Sequence, residues 1–170
     1  MANRIQHLTL VLIALCGLPP LSGAPSPSAI PEDIAGQALA LWKSNKIPQL
    51  GQYLRHQSTT TPDYAPAVVA GAFYDYIFLG KLLSAKARLL RIATIAQANP
   101  ETFPEVYRGY IAAALNKLNE EIRLGRARGM TEDNWQANAN PQAVRTTMGT
   151  NLFPILTLLL VTPKVTLPAP

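Results

Sequence analysis

From residue 31 to about residue 124 the apolar side chains recur at helical spacing, and each run of them stops at a proline, a glycine or an asparagine. A 3.6-residue period places apolar groups on one face of a helix, whereas a half-buried strand needs strict alternation. No stretch of this chain alternates convincingly between turn signals, so a sheet is not expected. Five helices follow from the pattern. The first carries Ile34, Ala38, Leu41 and Trp42 at i, i+4, i+7 and i+8, with Asn45 as a left-handed C-cap. The second begins near Pro48, presents Leu50, Tyr53 and Leu54, and is interrupted by Thr59-Thr60-Thr61-Pro62-Asp63. The third, 65–79, carries Val69, Ala72, Phe73, Tyr76 and Leu79 and ends at Gly80. The fourth, 82–98, turns Ala85, Leu89, Ile92 and Ala96 inward and Lys81, Lys86, Arg88 and Arg91 outward. The long fifth, 104–124, buries Tyr107, Tyr110, Ile111, Ala114, Leu118 and Ile122.

The first four helices form two hairpins that repeat. A shift of 35 residues brings Ile34 onto Val69, Ala38 onto Phe73, Leu41 onto Tyr76 and Asn45 onto Gly80. It also places Leu50 on Ala85 and Leu54 on Leu89, and each hairpin closes on a proline and an acid, Pro62-Asp63 and Pro100-Glu101. Repeats of this length stack as helical hairpins, each burying its apolar face on the next.

Over residues 31–101 the chain resembles the tetratricopeptide-like helical repeats. Tyr76, Gly80, Ala85 and Leu89 stand at that family's Tyr-x3-Gly-x4-Ala-x3-aromatic/Leu spacing, and Ala38, Leu41, Asn45, Leu54 and Pro62 stand in register in the first hairpin. The family's Trp-x2-Leu-Gly start is absent, and Pro100 falls three residues late. The resemblance implies stacked antiparallel hairpins whose first helices line a concave groove. The groove positions it implies are Leu39, Trp42 and Lys43 from the first hairpin and Tyr74, Ile77 and Phe78 from the second. Aromatic groups on such a face anchor a peptide or a partner helix. Two occupants stand open: a protein partner, or the long fifth helix of the same chain.

The ends of the chain read differently. Residues 1–24 have the layout of a secretory signal: Arg4, the apolar run Leu8–Leu15, helix-breaking Gly17, Pro19 and Pro20, then Ser22-Gly23-Ala24 for cleavage. The apolar run is shorter than the roughly 20 residues that span a bilayer. Cys16 admits a lipoprotein alternative, against which Leu15 stands where those signals carry a small residue. Export to the periplasm or the exterior is therefore expected, with residues 25–30 as a Pro/Ser linker and 31–161 as one helical domain. At 48% hydrophobic and 15% charged the chain is too apolar for a disordered protein. Its formal charge of +5 is mildly basic and reads as scattered surface cations. Residues 134–150 are polar, with a short helix expected from Pro141 to Met148. Leu152–Val161 is expected as a last helix capping the hairpin stack, and Thr162–Pro170 as an extended, mobile tail.

Chemistry is sparse in this sequence. Cleavage of the leader would leave no cysteine and one histidine, His56, so neither a zinc cluster nor a histidine-based triad is expected. His56, in a polar Arg-His-Gln-Ser run, reads as exposed or capping. Glu120-Glu121 and Glu132-Asp133 are sequence neighbours that diverge on a helix, and Thr131-Glu132-Asp133 reads as a helix start. Asp75, among aromatic neighbours, reads either as a buried acid or as a solvent-facing one, the latter preferred. Gly125-Arg126-Ala127-Arg128-Gly129 lacks a phosphate-loop pattern, and its cations suit a helix C-terminus. No cofactor, metal or nucleic acid is expected, nor a transmembrane span after leader removal. The expected function is that of an exported adaptor that binds a protein, in a specific version an immunity or accessory factor of an envelope or secretion system. The alternatives are a carboxylate-dependent hydrolase of envelope polymers and a membrane-peripheral structural protein held by residues 152–161.

Overall fold

The computed structural model describes residues 33–138 and 153–168, which belong to one compact unit. The expected leader, the linker and the expected helix 141–148 lie outside the described residues. Among those described there are seven helices and no strand. They are α1 (Ile34–Lys43), α2 (Ile47–Thr60), α3 (Ala65–Ile77), α4 (Leu82–Ala98), α5 (Glu105–Ala127), α6 (Glu132–Asn138) and α7 (Phe153–Val161). Consecutive helices from α1 to α5 pack on one another, as short connections favour.

The stops are the ones the residue types dictate. Asn45 adopts φ 59° and Gly80 φ 64°, two left-handed turns 35 residues apart that end the first helix of each hairpin. At α1 the Lys46 amide returns to the Leu41 carbonyl at 2.9 Å and the Asn45 amide to Trp42 at 3.0 Å, a Schellman closure. α5 ends the same way three residues later than expected, with Gly129 at φ 74° and the Met130 amide on the Gly125 carbonyl at 2.9 Å. α6 starts where Thr131 places its hydroxyl 3.5 Å from the Asn134 amide.

α3 is the centre of the molecule. Of its residues only Tyr74 escapes full burial, so the helix is enclosed all round instead of on one stripe. Its small residues Ala65, Ala67, Ala70, Gly71 and Ala72 let neighbours approach from several sides: α2, α4, α1 and α7 all pack against it. Phe73 at 0% exposure and Tyr107 at 1% are the largest enclosed side chains, each worth about 2–3 kcal/mol of apolar burial.

Two features go beyond the expectations. α7 packs on α5 first, then on α3 and α1, with Leu158 and Leu159 enclosed. The tail is extended but held. Tyr64 and Thr166 form an antiparallel bridge, the Ala65 amide donates to the Val165 carbonyl at 2.9 Å, and the Leu167 amide donates to the Asp63 carbonyl at 2.6 Å. Leu167 is buried, and Arg91 adds a hydrogen bond to the Pro168 carbonyl at 3.0 Å. The physical reason is non-local. α3 has no side-chain N-cap, and the tail backbone supplies the acceptor its first amide lacks.

Candidate interaction surface

The six groove positions expected from the resemblance occupy different environments. Leu39 and Trp42 are half-buried, Trp42 packing against the core, and Lys43 is exposed. Ile77 is buried within the core. Tyr74 and Phe78 are half-buried and stacked, with ring centroids 5.7 Å apart. Phe78 lies on Gly51 of α2, where any β-carbon would collide with its ring. Tyr74 and Phe78 are thus brought together at the α2–α3 seam. α7 packs on α5, α3 and α1.

Asp75 is buried, against the preferred expectation of a solvent-facing acid. It accepts from Ser84 Oγ at 2.7 Å and from Arg88 Nε at 2.8 Å, an ion pair linking α3 to α4. Arg88 reaches it by crossing α3 at Gly71, where a larger residue would meet the guanidinium. A second pair joins Arg91 to Asp63 at 2.7 Å, and a longer one joins Lys164 to Asp33 at 3.6 Å. His56 is exposed, its carbonyl accepting from the Thr59 and Thr60 hydroxyls. No cluster of three or more His, Cys, Asp or Glu side chains suited to a metal occurs among the described residues.

The tyrosines mark the interior. Burial pushes the Tyr107 phenol up to about 12, only partly offset by its contact with the Thr162 hydroxyl at 3.4 Å. Burial raises Tyr76 as well, and the Glu121 carboxylate of α5, which accepts its hydrogen bond, raises it further. Burial, then the nearby Asp33 charge, raises Tyr64.

An apolar opening lies elsewhere, between α4 and α5. A pocket of about 240 Å³ is lined by Ala93 and Gln97 of α4 and by Arg108, Ile111, Ala112 and Leu115 of α5. On the same side of α4, by its helical spacing, stand Leu83 and Leu90, each with nearly half its surface in solvent at 45% and 46%. Sequence reasoning missed this surface. Its signal was the pair Leu83 and Leu90, seven residues apart and off the inward stripe of Ala85, Leu89, Ile92 and Ala96. The same helix pair also carries α6: α6 packs on α4, and the Trp135 indole lies on Gly125 of α5 while its backbone lies on Gly80.

No family model, curated protein or solved structure matches this chain. The class defined by the described residues is an all-helical domain. No helix among them is long and apolar enough to cross a membrane.

Proposed function

We propose that this chain is an exported helical adaptor that binds another protein, in the manner of an accessory or immunity factor. The observation that supports it is the apolar surface on α4 and α5: Leu83 and Leu90 exposed beside a pocket floored by Ile111 and Leu115. Large aliphatic groups grouped in this way on a folded surface mark interaction sites more often than single scattered ones do. A tetratricopeptide-like hairpin stack belongs to the same proposal. It is supported by the 35-residue register, in which Asn45 and Gly80 are both left-handed and Leu54 and Leu89 are both fully buried. The stacked, half-buried pair Tyr74 and Phe78, with Trp42, favours a second binding face at the positions first expected.

The test is affinity capture from the native extract with the wild-type chain and with Leu90→Glu, Trp42→Ala and Tyr74→Ala. A partner lost with Leu90→Glu alone supports the α4–α5 face, and a partner lost with Trp42→Ala and Tyr74→Ala moves the site to the aromatic face. Capture of no protein by the wild-type chain sinks the adaptor reading.

A further inference from the structure

The α4–α5 furrow has an electrostatic pattern beside its apolar one. α4 contains no carboxylate between Leu82 and Ala98, and Lys86 stands on the stripe of Leu83, Leu90 and Ala93. On α5 the stripe that faces the pocket runs from Glu105 through Arg108, Ala112 and Leu115 to Arg126, two cations to one acid. The other carboxylates of α5 lie off that stripe: Glu120 is exposed, and Glu121 serves Tyr76. Glu101 stands in the connection between the two helices. Arg108 gives one guanidinium N–H to the Phe103 carbonyl at 3.3 Å, and the fork carries further donors.

The shape selects a helix. A furrow between two antiparallel helices receives a third by ridge-into-groove packing, and it offers no free backbone edge to which a strand could pair. From Leu83 to Gln97 the α4 side is about 21 Å long at 1.5 Å per residue, enough for roughly four turns of a partner helix. This pair of helices already holds one short helix, α6, through Trp135.

We infer that the α4–α5 furrow docks an amphipathic helix of a partner protein whose apolar row is flanked by carboxylates. Leu, Ile or Met at i, i+3 or i+4, and i+7 lie along Leu90, Ala93, Ala112 and Leu115, and the flanking Asp or Glu meet Lys86, Arg108 and Arg126. The inference rests on the protein-binding reading above and names the partner's chemistry.

The test uses the full chain and two designed peptides of about 15 residues that share one leucine row, one flanked by Glu and the other by Lys. Fluorescence anisotropy is expected to show the Glu peptide binding at least about tenfold tighter, with the difference shrinking as salt rises. Arg108→Glu is expected to bring the Lys peptide up and the Glu peptide down, a gain that an unfolded variant could not give. Leu90→Asp and Ala112→Trp are expected to abolish binding of both. Equal affinity for the two peptides, binding of neither, or Glu-peptide binding unchanged in Leu90→Asp overturns the inference. So does a dimer in sedimentation that Leu90→Asp dissociates, which assigns the furrow to a second copy. Protection of the Ala112→Cys thiol in the free Cys16→Ser chain also overturns it, because residues 139–152 would then be the occupant. A natural partner whose capture survives Leu90→Asp leaves the adaptor reading standing and removes only this inference.

Discussion

Asp75 shows how a single residue escapes a one-dimensional reading. In a helix with no other charge it stood out, and Ser84 and Arg88 stand at i and i+4 on the next helix, so the parts of the cluster are all visible in the sequence. Which way the carboxylate points depends on how α4 lies on α3, and that depends on Gly71, whose missing side chain lets Arg88 cross. The pair is unequal. The Asp75 side chain keeps 8% of its surface in water and that of Arg88 35%, so losing the arginine strands a buried charge while losing the acid leaves a partly hydrated one. Arg88→Ala is expected to cost about 2–3 kcal/mol and Asp75→Ala about 1–2 kcal/mol. The double variant should cost less than their sum by about 1 kcal/mol, as groups sharing a contact do. Urea midpoints of the four chains at constant m-value measure this cycle, and strict additivity would show that the pair contributes nothing.

At the level of elements, local chemistry fixed the stops and non-local contacts fixed the rest. Asn45, Gly80 and Pro62 punctuate the chain by backbone preferences that act within a few residues, so α1, α2 and α4 fall within a residue or two of expectation. The C-terminal tail carries no such signal. Its prolines forbid a helix, but whether an extended segment is free or docked depends on a partner about a hundred residues away in sequence, the α3 N-terminus at Tyr64 and Ala65. The apolar pattern of α3 was equally uninformative about which neighbours lie on which side, since a helix enclosed all round has no polar face to orient it. The docking leads to a definite expectation for Leu167, which is 3% exposed although it lies three residues from the end of the sequence. Leu167→Ala should lower stability by about 2–3 kcal/mol, the range for emptying a leucine-sized site. Amide exchange at Ala65 should rise in the same variant, because its acceptor, the Val165 carbonyl, loses its anchor. A mobile tail would give neither effect, so a change below about 0.5 kcal/mol rejects the docking.

For the whole molecule, the binding surface was the least legible part, because an exposed leucine acquires meaning only when a second helix completes a pocket around it. Leu83 and Leu90 could be read on a wheel, but Ile111, Ala112 and Leu115 had to be brought opposite Ala93 and Gln97, further along the same helix, by the packing of α5 on α4. The groove residues were no more legible: the Tyr74–Phe78 stack forms only because Gly51 of α2 leaves room for the Phe78 ring, while α7 lies on α5, α3 and α1. Two buried tyrosines tie that assembly together, Tyr76 of α3 to Glu121 of α5 and Tyr107 of α5 to Thr162 just after α7. Both hold their protons more tightly in the folded chain than in the unfolded one. A raised phenol contributes stability that is fully present below its unfolded value of about 10 and is lost as the pH climbs toward the folded one. For Tyr107 that window runs from about 10 to about 12; Tyr76 acts in the same direction. Each contributes a slope of up to about 1.4 kcal/mol per pH unit within its window, with stability falling as pH rises. Lysines titrate there too, so the decisive quantity is the difference between the wild-type chain and Tyr76→Phe/Tyr107→Phe. Guanidinium unfolding followed from pH about 8 to about 11 should show the wild type losing stability faster than the double variant, since two phenols that resist ionisation have been removed. Parallel curves would mean that the two tyrosines ionise in the folded chain as easily as in the unfolded one, and that α3, α5 and α7 are not closed around them.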